Sequence, residues 1–213
     1  MEDRAFSISL TKNPSISMNV IPGHFTTSHF HTNYYLDLDN LKTNVSIARD
    51  VAVELALPYL TTTLVDTIVC MEGTEVIGAY MAEELLKEGV SVLNTEREIH
   101  VVTPISNVNR KLIFQSNKQK LISNRNIIVL VSSISSGITL NGALECLSYY
   151  GGRVVGLSTL FNAGYIKHDQ EIHSMFTSKD IPNYQLVSPS ECPMCQEGRK
   201  LDAIIVHDGY IKM

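Results

Sequence analysis

Residues 126–152 read NIIVLVSSISSGITLNGALECLSYYGG. The apolar run IIVLV (127–131) gives way to small polar residues around one glycine. Apolar side chains then return at helical spacing until Gly151 and Gly152. A short, unbroken β-branched and leucine-rich run is the pattern of a strand buried on both faces. The stretch therefore predicts a strand over 127–131, a turn at SSISSG (132–137), and a helix from about Thr139 to Tyr150. RVVGLSTLF (153–161) has the composition of the next strand.

The same alternation extends upstream. Residues 44–60 carry apolar side chains at Val45, Ala48, Val51, Ala52, Leu55 and Ala56, a helical spacing that Pro58 ends. VDTIVC (65–70) reads as a buried strand, MEGT as a turn, and EVIGAYMAEELLKEG (75–89) as a helix closed by Gly89. EIHVVTP (98–104) and KLIFQ (111–115) are strand-like. Strands alternating with helices predict βαβ units, hence the α/β class with a parallel twisted sheet flanked by helices. Residues 1–20 read as an irregular polar arm. IPGHFTTSHFHTNYYLDLDNL (21–41) reads as a loop followed by a short strand around Tyr34–Leu38, and LDAIIVHDGYIKM (201–213) as one last strand. The expected organisation is a single domain over 1–213. Segments 1–40 and 166–213 would form a small hood over an α/β core at 41–165.

Bulk properties narrow the class. At 213 residues and 44 % apolar the chain can bury a substantial core. A net charge of −5 argues against a nucleic-acid binder with a broad basic face, and leaves room for a local basic pocket. The N-terminus lacks a secretory pattern, and no run approaches the roughly 20 apolar residues of a membrane span. Four cysteines, two of them in a CxxC pair, fit a reducing cytoplasm better than a disulfide framework.

The SSISSG turn lies where open α/β sheets bind ligands, at the carboxyl end of a strand. A helix start offers unpaired N–H groups and the positive end of the dipole. Gly137 permits positive φ or close backbone approach, and Ser135, Ser136 and Thr139 add hydroxyl donors. This is a cradle suited to a phosphate monoester; the plainer reading is a serine-rich helix cap that binds water. The GK[ST] lysine of a Walker loop is missing.

The unit strand–(S/T)(S/T)G-x-(S/T)–helix–YGG–RVVG resembles the phosphate loop of type I phosphoribosyltransferases. The order of elements over roughly 20–165 is most similar to orotate phosphoribosyltransferase. DTIVCMEGTEVIGAYMAEEL (66–85) resembles that family's first core strand, pyrophosphate turn and following helix. HTNYYLDLDNL (31–41) resembles its N-terminal substrate-side segment. The resemblance implies transfer of a phosphoribosyl group between phosphoribosyl pyrophosphate (PRPP) and a nitrogenous base, orotate first, with Mg²⁺ carried by PRPP and a homodimeric assembly. Ser135, Ser136, Gly137, Ile138 and Thr139 would hold the 5-phosphate. Glu72, Gly73 and Thr74, with Arg110 and Lys111 on a flap, would face the pyrophosphate. Tyr34, Tyr35, Phe161 and Asn162 would border the base. No side chain is assigned a catalytic role. The family has two adjacent acids at the end of this strand to grip the ribose hydroxyls; here an ungapped match on Gly137 puts Val131 and Ser132 in their place, a one-residue gap puts Ser132 and Ser133 there, and no Asp or Glu lies between Asn126 and Asn141. That departure keeps a second reading open, an inactive protein of the same fold that senses a nucleotide or PRPP.

Some candidates lie outside that frame. Glu72 also reads as an ordinary helix-start acid, and Tyr35 and Asp37 as the two faces of an ordinary strand. His24, His29 and His31 are close in sequence and chemically capable of metal binding or proton transfer, although loop histidines usually do neither. Cys192-Pro-Met-Cys195 with Gly198 forms a knuckle of the kind that binds Zn²⁺, but it supplies two ligands where a closed site needs four. His168, His173, His207 or a second subunit are the candidates for the rest; a reduced structural pair is the default.

Overall fold

In the computed structural model, which describes residues 1–87, 93–95, 97–109, 111–164, 169–206 and 209–213, the apolar run at Ile127 lies at the centre of a five-stranded sheet. The chain opens with β1 (Phe6–Ser9), β2 (Ser17–Thr26) and β3 (His31–Asp37), followed by α1 (Asp39–Thr43) and α2 (Val45–Ala56). Next come β4 (Thr67–Cys70), α3 (Glu75–Leu86) and β5 (His100–Val102). A small hairpin of β6 (Ile105–Ser106) and β7 (Leu112–Ile113) and the single turn α4 (Ser116–Gln119) lead into β8 (Asn126–Ile134). Then follow α5 (Ile138–Tyr149), β9 (Arg153–Asn162), β10 (Ile172–Thr177), β11 (Leu186–Val187), α6 (Pro193–Gln196), β12 (Ala203–Val206) and β13 (Gly209–Lys212).

The core sheet has the order β10-β9-β8-β4-β5, and every pairing in it is parallel. Side chains alternate between two apolar layers, as the period of a strand requires. Ile68, Cys70, Ile128 and Leu130 join Ala48, Val51, Leu55, Ile77, Met81 and Leu85 of α2 and α3 on one face. Val69, Val129, Val131 and Leu157 join Leu140, Ala143 and Leu147 of α5 on the other. Burial on both faces is why these strands read as continuous apolar runs. Asn44, whose side chain accepts the N–H groups of Ser46 and Ile47, caps α2. The helix stops at Ala56, one residue before the 3₁₀ turn that contains Pro58.

A second sheet, β11-β3-β2-β12-β13 with β1 also on β2, is built from both ends of the chain. Three expectations are corrected here. Residues 1–20 are not an irregular arm: β1 and β2 lie there, and β2 continues to Thr26, into the segment read as a loop, because it pairs with β3 along its length and with β1 and β12 on its other edge. The last segment is a hairpin rather than one strand, with Ile204 opposite Ile211. The core sheet takes its edge strand β10 from beyond residue 165. Helix α3 ends at Leu86, and the proposed stop at Gly89 lies outside the described residues. No helix among the described residues is long and apolar enough to cross a membrane.

Two contacts fix the sheet's neighbours. Gly78 lets α3 lie directly on β4, because a Cβ there would stand 2.3 Å from Cys70 Sγ. Asp66 accepts the Asn126 N–H at 2.8 Å and pairs with Arg97 at 2.7 Å, tying the start of β4 to the start of β8. Burial pushes the Asp66 carboxyl up, but the Asn126 N–H and the Arg97 guanidinium outweigh it and hold it below its ordinary value.

Gly78→Ala is therefore expected to overpack this contact and cost about 1–3 kcal/mol in urea denaturation; an unchanged midpoint would show that α3 can shift freely. Because the folded-state value of Asp66 is depressed, its contribution is complete above the unfolded value and lost as pH falls through the folded one. Asp66→Asn should be less stable than the parent at neutral pH and lose less stability on acidification, as measured by denaturation midpoints across pH.

Candidate functional site

Strand β8 continues past the apolar run. Ser132, Ser133 and Ile134 stay in the strand, with Ser133 opposite Phe161 and Ile134 opposite Asn162 on β9. The ladder holds them despite the low strand propensity of serine, because Ile134 reaches the core and Ser132 is buried. The turn is thus Ser135-Ser136-Gly137 alone, and the helix begins at Ile138, one residue earlier than expected. Gly137 occupies the N-cap position at φ 73°, a left-handed conformation that disfavours a side chain. Among the described residues no side chain caps α5. The N–H groups of its first turn face the same end of the sheet as the turn after β4.

These two turns border a cleft of about 410 Å³. Ser132 to Leu140 form its floor. Thr27 to Phe30 from the β2–β3 turn, Tyr35, Leu36 and Leu38 form one wall, and Ile205, Val206 and Gly209 of the C-terminal hairpin complete it. Asp39 and Lys42 enter from α1, and Glu72 from the turn after β4.

Charge reaches the cleft from neighbouring elements rather than from β8. Glu72 is held at φ 58° and Gly73 at φ 78°, and a left-handed non-glycine residue is a local cost that a packed fold has to support. The Glu72 side chain turns toward β8, where Oε2 accepts the Ser133 N–H at 3.4 Å. Lys42 Nζ donates to the Glu72 carbonyl at 3.4 Å and pairs with Asp39 at 3.1 Å. A carboxylate therefore stands beside the end of β8 although β8 itself has none. Burial, then the Asp37 and Asp39 carboxylates, pushes the Tyr35 phenol up to about 12, so it faces the cleft as a neutral group.

Several expected site residues lie elsewhere. Thr74 is fully buried and its hydroxyl donates to the Met71 and Leu130 carbonyls, which leaves it to lock the turn rather than meet a ligand. Tyr34 projects from the opposite side of β3 to Tyr35 and packs edge-on to Phe6 at 6.2 Å. Phe161 is buried against Tyr184, and the Asn162 side chain accepts the Gly164 N–H; neither lines the cleft. Lys111 is exposed beside the β6–β7 hairpin, where Asn107 Oδ1 accepts its N–H, and does not reach the cleft. Arg110 lies outside the described residues. Among the described residues, Lys42 is the one lysine or arginine lining the cleft. It lies 30 residues from Glu72, and no local pattern in the sequence joins the two.

Cys192 and Cys195 do not line the cleft. They meet His24 and His31 under the second sheet. Of the partners considered from sequence, His173 packs edge-on against Tyr59 at 5.2 Å instead, and His168 and His207 lie outside the described residues. Cys70 is a buried thiol pushed up to about 12 by burial, and Cys146 sits on α5.

No family model matches the chain. It is 25 % identical over 194 residues to the orotate phosphoribosyltransferase of Sulfurimonas denitrificans, covering 84 % of this chain and 89 % of that protein. It is 27 % identical over 197 residues to the orotate phosphoribosyltransferase of Wolinella succinogenes, covering 85 % and 88 %. Among solved structures, UMP synthase of Leishmania donovani superposes with a TM-score of 0.54 at 20 % identity, over 75 % of this chain and 34 % of that one. Near-full-length relatives of one name and a parallel α/β core carrying the loop at the end of β8 make the chain similar to orotate phosphoribosyltransferases, and it shares its fold with the UMP synthase.

Proposed function

We propose that the protein transfers a phosphoribosyl group between PRPP and a nitrogenous base, with orotate as the first candidate. The observation that carries this is the uncapped start of α5, opened by Gly137, facing a cleft that also holds Lys42 and Glu72. The relatives of that name supply the choice of base.

In this reading the 5-phosphate binds the N–H groups and hydroxyls of Ser135 to Thr139, where a dianion gains from both donors and dipole. Lys42 stands over the Glu72-Gly73 turn and supports the pyrophosphate as negative charge builds on the departing oxygen. The glycosidic carbon becomes cationic as that bond breaks, and a carboxylate nearby stabilises it. Glu72, fixed by the Ser133 N–H, takes the place that the acid pair fills in the resembling family. Ser133 is left to bond a ribose hydroxyl. Glu72 and Asp39 are hard oxygen donors of the kind Mg²⁺ prefers, and Mg²⁺ bound with PRPP would neutralise the pyrophosphate. Tyr35, rather than Tyr34, borders the base. The resemblance also supports a homodimer, and the free thiols support a reducing cytoplasm.

Purified protein with PRPP, Mg²⁺ and orotate is expected to release pyrophosphate and form the nucleotide. Absence of release with orotate and with the common purine and pyrimidine bases would overturn the proposal. Thermal stabilisation by nucleoside monophosphates without turnover would instead leave a binding protein of this fold. Glu72→Gln and Lys42→Met should each lower kcat/KM by about 100-fold or more, with melting temperatures near that of the parent; undiminished activity in both would remove them from the site.

A further inference from the structure

We propose that His24, His31, Cys192 and Cys195 form a closed Zn²⁺ site that fastens the C-terminal knuckle to the β2–β3 hairpin. Their ligand atoms all lie within 4.8 Å of one another. His24 Nε2 is 3.1 Å from His31 Nδ1, 3.5 Å from Cys192 Sγ and 3.6 Å from Cys195 Sγ, and His31 Nδ1 is 3.3 Å from Cys195 Sγ. A tetrahedron with Zn–N bonds of ~2.0 Å and Zn–S bonds of ~2.3 Å has N···N edges of about 3.3 Å and N···S edges of about 3.5 Å. Four of the six edges of that tetrahedron are therefore present to within about 0.2 Å. No carboxylate belongs to the group, so the donor set is the nitrogen and sulfur pair that Zn²⁺ favours over Mg²⁺ or Ca²⁺.

The surroundings orient the ligands. His24 Nδ1 lies 2.9 Å from the Arg199 carbonyl, which accepts only if that nitrogen carries the proton. Nε2 is then left with its lone pair toward the cluster, the tautomer a metal ligand needs. The knuckle provides that carbonyl. Gly198, left-handed at φ 73°, turns the chain so that the Arg199 N–H returns to the Met194 carbonyl at 2.9 Å. The irregularity of β2 between Pro22 and Phe25 carries His24, and the His24 N–H donates to Asp202 at 2.8 Å. His24, His31 and Cys192 are buried, as suits a structural site with no open position.

The position suggests a purpose. His24 and His31 bracket the turn whose residues Thr27 to Phe30 line the cleft, while the knuckle precedes the hairpin that adds Ile205, Val206 and Gly209 to the same cleft. A metal joining them fixes both segments beside a small apolar cluster around Ile21, Phe25, Tyr35 and Ala203, while Met18 and Val20 of β2 pack into the main core. The site does not depend on the chemistry proposed for the cleft.

The test is elemental analysis of the full chain purified without chelator, with Co²⁺ exchanged into it as a spectroscopic probe. One zinc per chain is expected, and the Co²⁺ form should show intense tetrahedral d–d bands with thiolate charge transfer. Cys195→Ser and His31→Ala should reduce retained zinc to a small fraction, while His173→Ala should keep it. Chelation should lower the melting temperature of the parent, and added Zn²⁺ should restore it. If the ligand variants do not fold, the Co²⁺ spectrum of the parent decides. A chain that takes up neither metal, a Co²⁺ spectrum without sulfur charge transfer, a Cys192–Cys195 disulfide in the isolated protein, or zinc undiminished in both ligand variants would overturn the proposal.

Discussion

Parallel pairing of β8 with both β4 and β9 is the constraint from which the rest follows. Parallel strands cannot be joined by tight turns, so each pair needs a crossover, and the helices of those crossovers cover both faces of the sheet. All strands then end at one edge. The turn after β4 and the turn after β8 stand side by side there because their strands are hydrogen-bonded neighbours, with Cys70 opposite Leu130. The contact from Ser133 N–H to the Glu72 carboxylate and the Thr74 hydroxyl bond to the Leu130 carbonyl are consequences of that adjacency.

The second sheet has a different logic. It is antiparallel apart from the β2–β12 pairing and is assembled from both chain ends. Met18, Val20 and Leu186 join it to the main core, and a small second cluster lies around Ile21, Phe25, Tyr35 and Ala203. Polar and ionic contacts supplement it. Arg4 pairs with Asp202 at 2.8 Å, Asp202 accepts the His24 N–H, and Asn33 exchanges hydrogen bonds with Asn183 and Gln185. Exposed ion pairs contribute little each, so a metal crosslink between segments 168 residues apart would constrain the hood more than any of them.

The cleft lies between these two layers, and its charges come from elements that do not belong to the loop at its floor. An acid pair on β8 is one way to place negative charge beside a ribose. A left-handed Glu72 on the adjacent turn brings a carboxylate to the same strand end, held by a backbone N–H and with Lys42 across its carbonyl.

What the sequence determined by itself is the core. The runs at 65–70, 127–131 and 153–161 and the helical spacing at 45–56 and 75–86 are local consequences of burial on one or two faces, so period and composition reveal them. The turn after the run at 127–131 was legible for the same reason, as small residues around a glycine between two strong elements, although it spans only 135–137 because Ser132 to Ile134 stay in the strand. The ends of the chain were not, because β2 owes its strand state to partners at 31–37 and 203–204 and not to its own alternation. Tertiary structure alone decided that Lys42 and Glu72 share the cleft, that Tyr35 rather than Tyr34 faces it, and that two N-terminal histidines meet two C-terminal cysteines. Each is a contact between residues distant in sequence, set by strand order and register, which no single segment encodes.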